Sequence, residues 1–279
     1  NVLVILASRG LGIPVVVSER VHPGTDAMQA GWARLWPWAY RFAEAIVVQT
    51  EQAHSCMPRD VRGKTMVIPN PVLRLSGNRN GVAPPAHRPY VVAMGRLVRQ
   101  KGFDLLIEGF AKLPRRCSEW SLVILGEGPE RPGLEALINE KGLAGRVRLA
   151  GVVKDPGRFL SQADLFVLSS RFEGFPNALC EAMACRLPVI ASDCRSGPGE
   201  IICHEVDGLL VPPNNVDALA QGMERLMSDE MERKRLGSAA VEVLARFGVP
   251  KVMGMWEMLL AKCARGGHMM RHIRRESGG

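Results

Sequence analysis

From Pro89 onward the chain alternates short apolar runs with helical stretches. YVVAMG precedes a helical pattern over 103–112, SLVILG one over 130–141 and RVRLAG one over 156–162. DLFVLSS precedes 176–186, LPVIASD a short helix near Gly199, and GLLVP the long helices after Asn215. Strands that are apolar on both faces and separated by helices predict an α/β fold with a parallel, doubly wound sheet. Ligands of such sheets bind beyond the carboxyl ends of the strands, so the loops that follow the strands are where chemistry is expected.

Upstream, PVVVSE, AIVVQTE and TMVIPN form a second, smaller α/β set. The pattern predicts a partial Rossmann-like domain over 1–72, a Gly/Pro/Asn-rich linker over 73–88 and the larger domain over 89–247. A helix over 248–265 is expected to cross back to the first domain, and 266–279 is expected to be a basic flexible tail. The opening NVLVILASRGLG reads as a helix with no strand before it, so the N-terminal domain is expected to be incomplete.

With 279 residues and 47% hydrophobic content, the chain can bury one large or two modest cores. Its apolar opening is broken by Arg9, Gly10, Gly12 and Pro14, so neither a membrane span nor a signal peptide is expected. Seven cysteines without a CxxC pair, and no regular framework with the six histidines, suggest reduced core thiols of a cytoplasmic protein and no metal site. The net charge of +8 favours anionic partners. Aromatics make up only 5%, and no nucleic-acid-binding signature is present, so nucleic acid is not expected as a partner. Phosphorylated substrates and an anionic membrane face remain.

Between Arg171 and Cys185 the chain reads RFEGFPNALCEAMAC, with Glu173 and Glu181 eight positions apart around a Gly-Phe-Pro turn. Pro176 suits the first helical position, which would leave the amides of Asn177 and Ala178 free as a phosphate seat. Glu173 precedes the helix, while Glu181 lies just over a turn inside it, on a helix whose Ala, Leu, Met and Cys residues read as buried. A buried carboxylate needs partners. A sugar joined through a diphosphate to a ribose has the shape this spacing would measure; the bland alternative is a pair of solvated acids. Arg96 and Lys101, after YVVAMG, could converge on the same diphosphate or be ordinary surface cations. The Gly126-Glu127-Gly128 turn permits close backbone approach, though a lone GxG is weak. Val152 and Val153 could frame a base, with Asp155 capping the next helix, or simply begin that helix.

GRLVRQKG (95–102), GEGPE (126–130), LAGVVKD (149–155), SSRFEGFPNALCEAMACRLPVIASD (169–193), SGPGEII (196–202) and DGLLVPP (207–213) together resemble the family 4 glycosyltransferases. The resemblance extends from Val15 to the last helices. It implies a GT-B architecture of two Rossmann-like domains facing a cleft, retention of anomeric configuration, no cofactor and, usually, no metal. By position, Arg96 and Lys101 would bind and activate the leaving diphosphate, Glu181 the ribose hydroxyls and Glu173 the transferred sugar. Gly95, Gly126, Gly128, Gly174, Phe175, Pro176 and Asn177 would approach sugar and phosphate, and Val152 and Val153 the base. Many relatives carry a histidine after an N-terminal strand; here the loop reads Ser18-Glu19-Arg20-Val21-His22. Glu19, Arg20 and His22 are therefore acceptor-side candidates, the first two favoured.

The resemblance implies transfer of a hexosyl or N-acetylhexosaminyl group from a nucleotide-diphosphate sugar, UDP favoured, to a glycan or lipid-linked acceptor, as in capsule and exopolysaccharide assembly. A noncatalytic nucleotide-sugar-binding fragment and a GT-B nucleotide-sugar epimerase are the alternatives. Trp32, Arg34, Trp36, Trp38, Tyr40, Arg41 and Phe42 form an aromatic-basic cluster. It could touch the inner face of the plasma membrane or be a core helix of the first domain.

Overall fold

The computed structural model describes residues 1–20, 30–75, 89–195 and 197–276. By internal contacts the chain divides into two units, Asn1–Pro71 with Val249–Gly279, and Val72–Gly248.

The first unit begins with α1 (Val2–Ala7), followed by β1 (Val16–Ser18), α2 (Ala30–Tyr40), β2 (Ala45–Val48), α3 (Glu51–Ser55), α4 (Arg59–Arg62) and β3 (Thr65–Val67). Its three strands form a parallel sheet in the order β1-β2-β3, with Val17 opposite Ile46 and Val47 opposite Met66. All four residues of β2 are buried because both faces are covered. Ile46 and Val48 join Val2, Ile5, Tyr40, Met57 and Val61 in one apolar cluster. Ala45 and Val47 face the other way and pack with Ile68, Val252, Leu259 and Cys263.

The second unit contains β4 (Tyr90–Met94), α5 (Phe103–Ala111), β5 (Ser121–Leu125), α6 (Arg131–Glu140), β6 (Val147–Gly151), α7 (Pro156–Gln162), β7 (Leu165–Leu168), α8 (Asn177–Ala184), β8 (Val189–Ser192), α9 (Pro198–Ile201) and β9 (Leu209–Val211). Helices α10 (Val216–Ser228), α11 (Glu230–Ala240) and α12 (Val243–Phe247) complete it. Its six strands are all parallel, in the order β6-β5-β4-β7-β8-β9. Alternate residues of β4 enter opposite cores, Val91 and Ala93 one and Tyr90 and Val92 the other. Period-two alternation between two apolar layers is why these strands read as unbroken hydrophobic runs.

The final helix, α13, runs Val249–Glu276. It continues past 265 through Gly266, Gly267 and the basic residues after them. Glycine costs a helix only about 1 kcal/mol, and Lys, Arg and Met on either side are good helix formers.

Candidate active site

The strand order of the second unit reverses beside β4, whose neighbours are β5 and β7. The loops that leave the carboxyl ends of β4 and β7 diverge there, which is where doubly wound sheets hold their ligands. These are the loops that carry Arg96, Lys101 and Glu173. After β4 the chain makes a tight 3-10 turn over Arg99–Lys101 and leaves it through Gly102 in the left-handed region, φ 63°. The hydroxyl of Ser169 donates to the Lys101 carbonyl at 3.0 Å, and the Gln100 side-chain amide donates to the Phe172 carbonyl at 2.9 Å.

These contacts bring Lys101 Nζ within 2.6 Å of Glu173 Oε1, and Ser170 Oγ donates to the same oxygen at 2.6 Å. Glu173 is only 5% exposed and Lys101 18%. Oε2 of Glu173 accepts from no donor among the described residues. Cys194 is buried within electrostatic reach of the pair, and its thiol pKa is pushed up to about 12 by burial and then by the Glu173 charge. Arg96 is exposed, and among the described residues its guanidinium has no partner. Gly95 and the Gly126–Gly128 turn lie side by side: a Cβ on Gly126 would collide with the Gly95 carbonyl, and one on Gly128 with that of Leu97. The close approach these glycines permit is that of one strand-end loop to the next.

Helix α8 starts differently from the expectation. Pro176 is its N-cap, not its first helical residue, with φ −78° and ψ 84°. That conformation closes an inverse γ-turn in which the Asn177 amide donates to the Phe175 carbonyl at 3.0 Å. Asn177 therefore does not offer a free amide; among the described residues, the Ala178 amide is the one in this first turn without an acceptor. Phe175 contributes its backbone to the loop but buries its ring against Phe247, edge to face at 5.6 Å. Inside α8, Glu181 is half-buried and has no side-chain partner among the described residues, and burial raises its pKa. Val152 is exposed, Val153 packs partly against the core, and Asp155 accepts from the Arg158 amide at 3.1 Å as the cap of α7.

In the first unit, Glu19 and Arg20 follow β1. Tyr40 donates to Glu19 Oε2 at 2.6 Å, and the Asn1 side-chain amide donates to the Tyr40 hydroxyl at 2.9 Å. Burial, and then Glu19, hold the Tyr40 phenol well above its ordinary pKa. Arg20 Nη1 donates to Asn70 Oδ1 at 3.2 Å, and the Gln49 side-chain amide meets the same oxygen. Glu19, Arg20, Gln49 and Asn70 thus line the carboxyl ends of three successive strands. His22 lies outside the described residues. Gln49, Asn70, Tyr40 and Ser170 were not anticipated, although each of the first two directly follows or closes a strand motif, AIVVQTE and TMVIPN, and Ser170 ends DLFVLSS.

The aromatic cluster splits in two. Trp36 and Tyr40 meet edge to face at 5.1 Å; Tyr40 is in the core and Trp36 packs against it, in line with the core-helix alternative. Trp38 and Phe42, also 5.1 Å apart, are exposed, and the Arg9 guanidinium sits 4.0 Å above the Phe42 ring. The side chains of Trp32 and Arg34 lie outside the described residues. Among the described residues no helix is long and apolar enough to cross a membrane, and no His, Cys, Asp and Glu side chains cluster as a metal site.

A parallel doubly wound unit joined in one chain to a second parallel α/β unit is the build of the GT-B fold. The fold matches that of Anabaena HepE crystallised with UDP and glucose, at a TM-score of 0.83 and 22% identity, covering 94% of this chain and 75% of that one. Residues 78–243 match the family of glycosyl transferases group 1, and the chain belongs to that family. It is 32% identical over 270 residues to an alpha-D-kanosaminyltransferase of Streptomyces kanamyceticus, covering 86% of this chain and 68% of the relative. It is 36% identical over 145 residues to a Campylobacter jejuni N-acetylgalactosaminyltransferase acting on a diphospho-undecaprenol acceptor, covering 52% of this chain and 39% of the relative. The chain spans 68% of the kanosaminyltransferase and as little as 23% of another curated relative.

Proposed function

We propose that the chain is part of a retaining glycosyltransferase that moves a hexosyl or N-acetylhexosaminyl group from a UDP-sugar to a glycan or lipid-linked acceptor. The observation that carries the reading is the buried Lys101–Glu173 pair at the switch point, with Glu173 Oε2 and, on α8, the Glu181 carboxylate both without a partner among the described residues. Glu181 takes the ribose hydroxyls, Arg96 and Lys101 the diphosphate, and Glu173 Oε2 a hydroxyl of the transferred sugar. The two cations stabilise charge developing on the leaving diphosphate, each worth about 2–4 kcal/mol in the transition state. Glu173 Oε1 is engaged by an ammonium and a hydroxyl, which suits a carboxylate that orients the sugar better than one that attacks it. The acceptor hydroxyl passes its proton to the departing phosphate oxygen, so no protein nucleophile is required. Glu19, Arg20, Gln49 and Asn70 form the acceptor side.

A lipid-linked acceptor is supported by the name of the Campylobacter relative and by the exposed Trp38, Phe42 and Arg9, which together suit a membrane-surface contact. Thermal unfolding with a panel of nucleotide sugars tests the reading, because a donor that binds the folded state raises Tm by mass action. A UDP-sugar is expected to raise Tm in the wild-type chain and much less in Glu181→Ala. No shift with any nucleotide sugar would overturn it.

A further inference from the structure

We propose that Arg171 is a positioning residue for the donor site: clasped to Asp104, it holds the loop of Lys101 and the loop of Glu173 in one register. This rests on the donor reading above and adds to it a side chain that meets neither diphosphate nor sugar. Arg171 follows β7, directly between Ser170 and the loop of Glu173. Its Nη1 and Nη2 donate to the two carboxylate oxygens of Asp104, at 2.8 and 2.6 Å, in a bidentate fork. Nη1 also donates to the Arg99 carbonyl at 2.8 Å, and the Arg171 backbone amide donates to the Gln100 carbonyl at 2.8 Å. One residue therefore grips the first turn of α5 and the first two residues of the turn that presents Lys101.

Beside the Lys101–Glu173 pair itself and the bonds of Arg171, the other side-chain links between the two loops among the described residues are neutral. Gln100 and Ser169 each supply one neutral hydrogen bond between the loops. Burial pushes the Asp104 carboxyl up, but the hydrogen bonds and charge of Arg171 and the Leu105 amide outweigh burial and leave its pKa below the ordinary value. Bidentate arginine–carboxylate pairs fix geometry as well as adding energy, and lysine cannot reproduce the fork. A shift of one ångström at a charge-stabilising group is enough to cost a site most of its effect. Arg171 thus acts on the donor through Lys101 and Glu173.

The test compares the wild-type chain with Arg171→Met, Arg171→Lys and Asp104→Asn by amide hydrogen exchange and by calorimetric binding of UDP and UDP-glucose. Arg171→Met and Asp104→Asn are expected to speed exchange at 99–102 and 171–173 by about tenfold while the strand amides of the sheet hold. UDP-glucose affinity is expected to fall about tenfold and UDP affinity about threefold, because the contact of Glu173 belongs to the sugar. Arg171→Lys should fall between these and wild type, and it carries the test if Arg171→Met does not fold. Unchanged exchange in the two loops, an equal loss for both ligands, or variants that bind UDP-glucose as wild type does would overturn the positioning role alone. Failure of the wild-type chain to bind either ligand would overturn the donor reading, and the positioning role with it.

Discussion

Lys101 and Glu173 are 72 residues apart in sequence, yet their side chains meet at 2.6 Å at the point where the sheet reverses its order. The pair is asymmetric: Glu173 is the more deeply buried member. Removing the ammonium leaves a buried carboxylate whose one remaining side-chain partner among the described residues is Ser170, whereas removing the charge of Glu173 leaves an ammonium that still reaches water. Breaking a buried pair in the first way costs about 3–5 kcal/mol. Lys101→Met is therefore expected to destabilise the second unit by about 3 kcal/mol, and Glu173→Gln by about 1 kcal/mol, since the amide still accepts a hydrogen bond. Urea unfolding measures both, and equal losses would contradict the asymmetry.

Glu181 makes the opposite prediction. Burial, with no side-chain partner among the described residues, raises its pKa above the ordinary 4.5. The folded chain then holds this proton to a higher pH than the unfolded chain, so stability declines as pH rises from about 4.5 through the folded pKa and is flat above it. Glu181→Gln removes the penalty. It should leave stability unchanged at pH 4, raise it at pH 8 by about 0.5–1 kcal/mol after allowance for solvent screening, and weaken UDP binding. Guanidinium unfolding at the two pH values decides it; a less stable variant at pH 8 would show that Glu181 has a partner in the folded chain.

The difference between these two acids marks how far the sequence can be read. β7 and β8 are buried at every position, so DLFVLSS and LPVIASD announced strands without ambiguity. That β4 pairs with β7 is a matter of sheet order, which no local pattern encodes, and the Lys101–Ser170–Glu173 contact follows from it. The turn at Pro176 was misplaced by one residue because proline fixes φ but leaves ψ free, and at ψ 84° it caps the helix instead of entering it. The division of the aromatic cluster was within reach: Trp36 and Tyr40 are four apart on one face of α2, and Trp38 and Phe42 have the same spacing two positions on, which turns them to the other side.

Gly102 is required on two counts. Its φ of 63° disfavours any side chain, and a Cβ there would run into the Ser169 carbonyl. Gly102→Ala should cost about 2–3 kcal/mol and displace Lys101, which lies next to it. A Tm close to wild type would mean that the turn relaxes elsewhere; a lowered Tm with unchanged UDP-glucose affinity would mean that the strain does not reach Lys101.

Tyr40 offers the corresponding test in the first unit. Its hydroxyl, fully buried at 1% residue exposure, donates to Glu19 and accepts from Asn1, so it fixes the carboxylate at the end of β1. Tyr40→Phe keeps the ring contact with Trp36 and deletes both hydrogen bonds, at a cost of about 1–2 kcal/mol. If Glu19 belongs to the acceptor side, loss of the Tyr40 contact that orients its carboxylate should reduce transfer to the acceptor by about tenfold while UDP-glucose binding stays as in wild type, because donor contacts lie in the other unit. Calorimetry with UDP-glucose and a transfer assay with acceptor in excess separate the two effects. A variant that loses donor affinity in proportion to transfer would place Glu19 outside the acceptor site, and one that loses stability alone would reduce the Tyr40–Glu19 contact to a packing role.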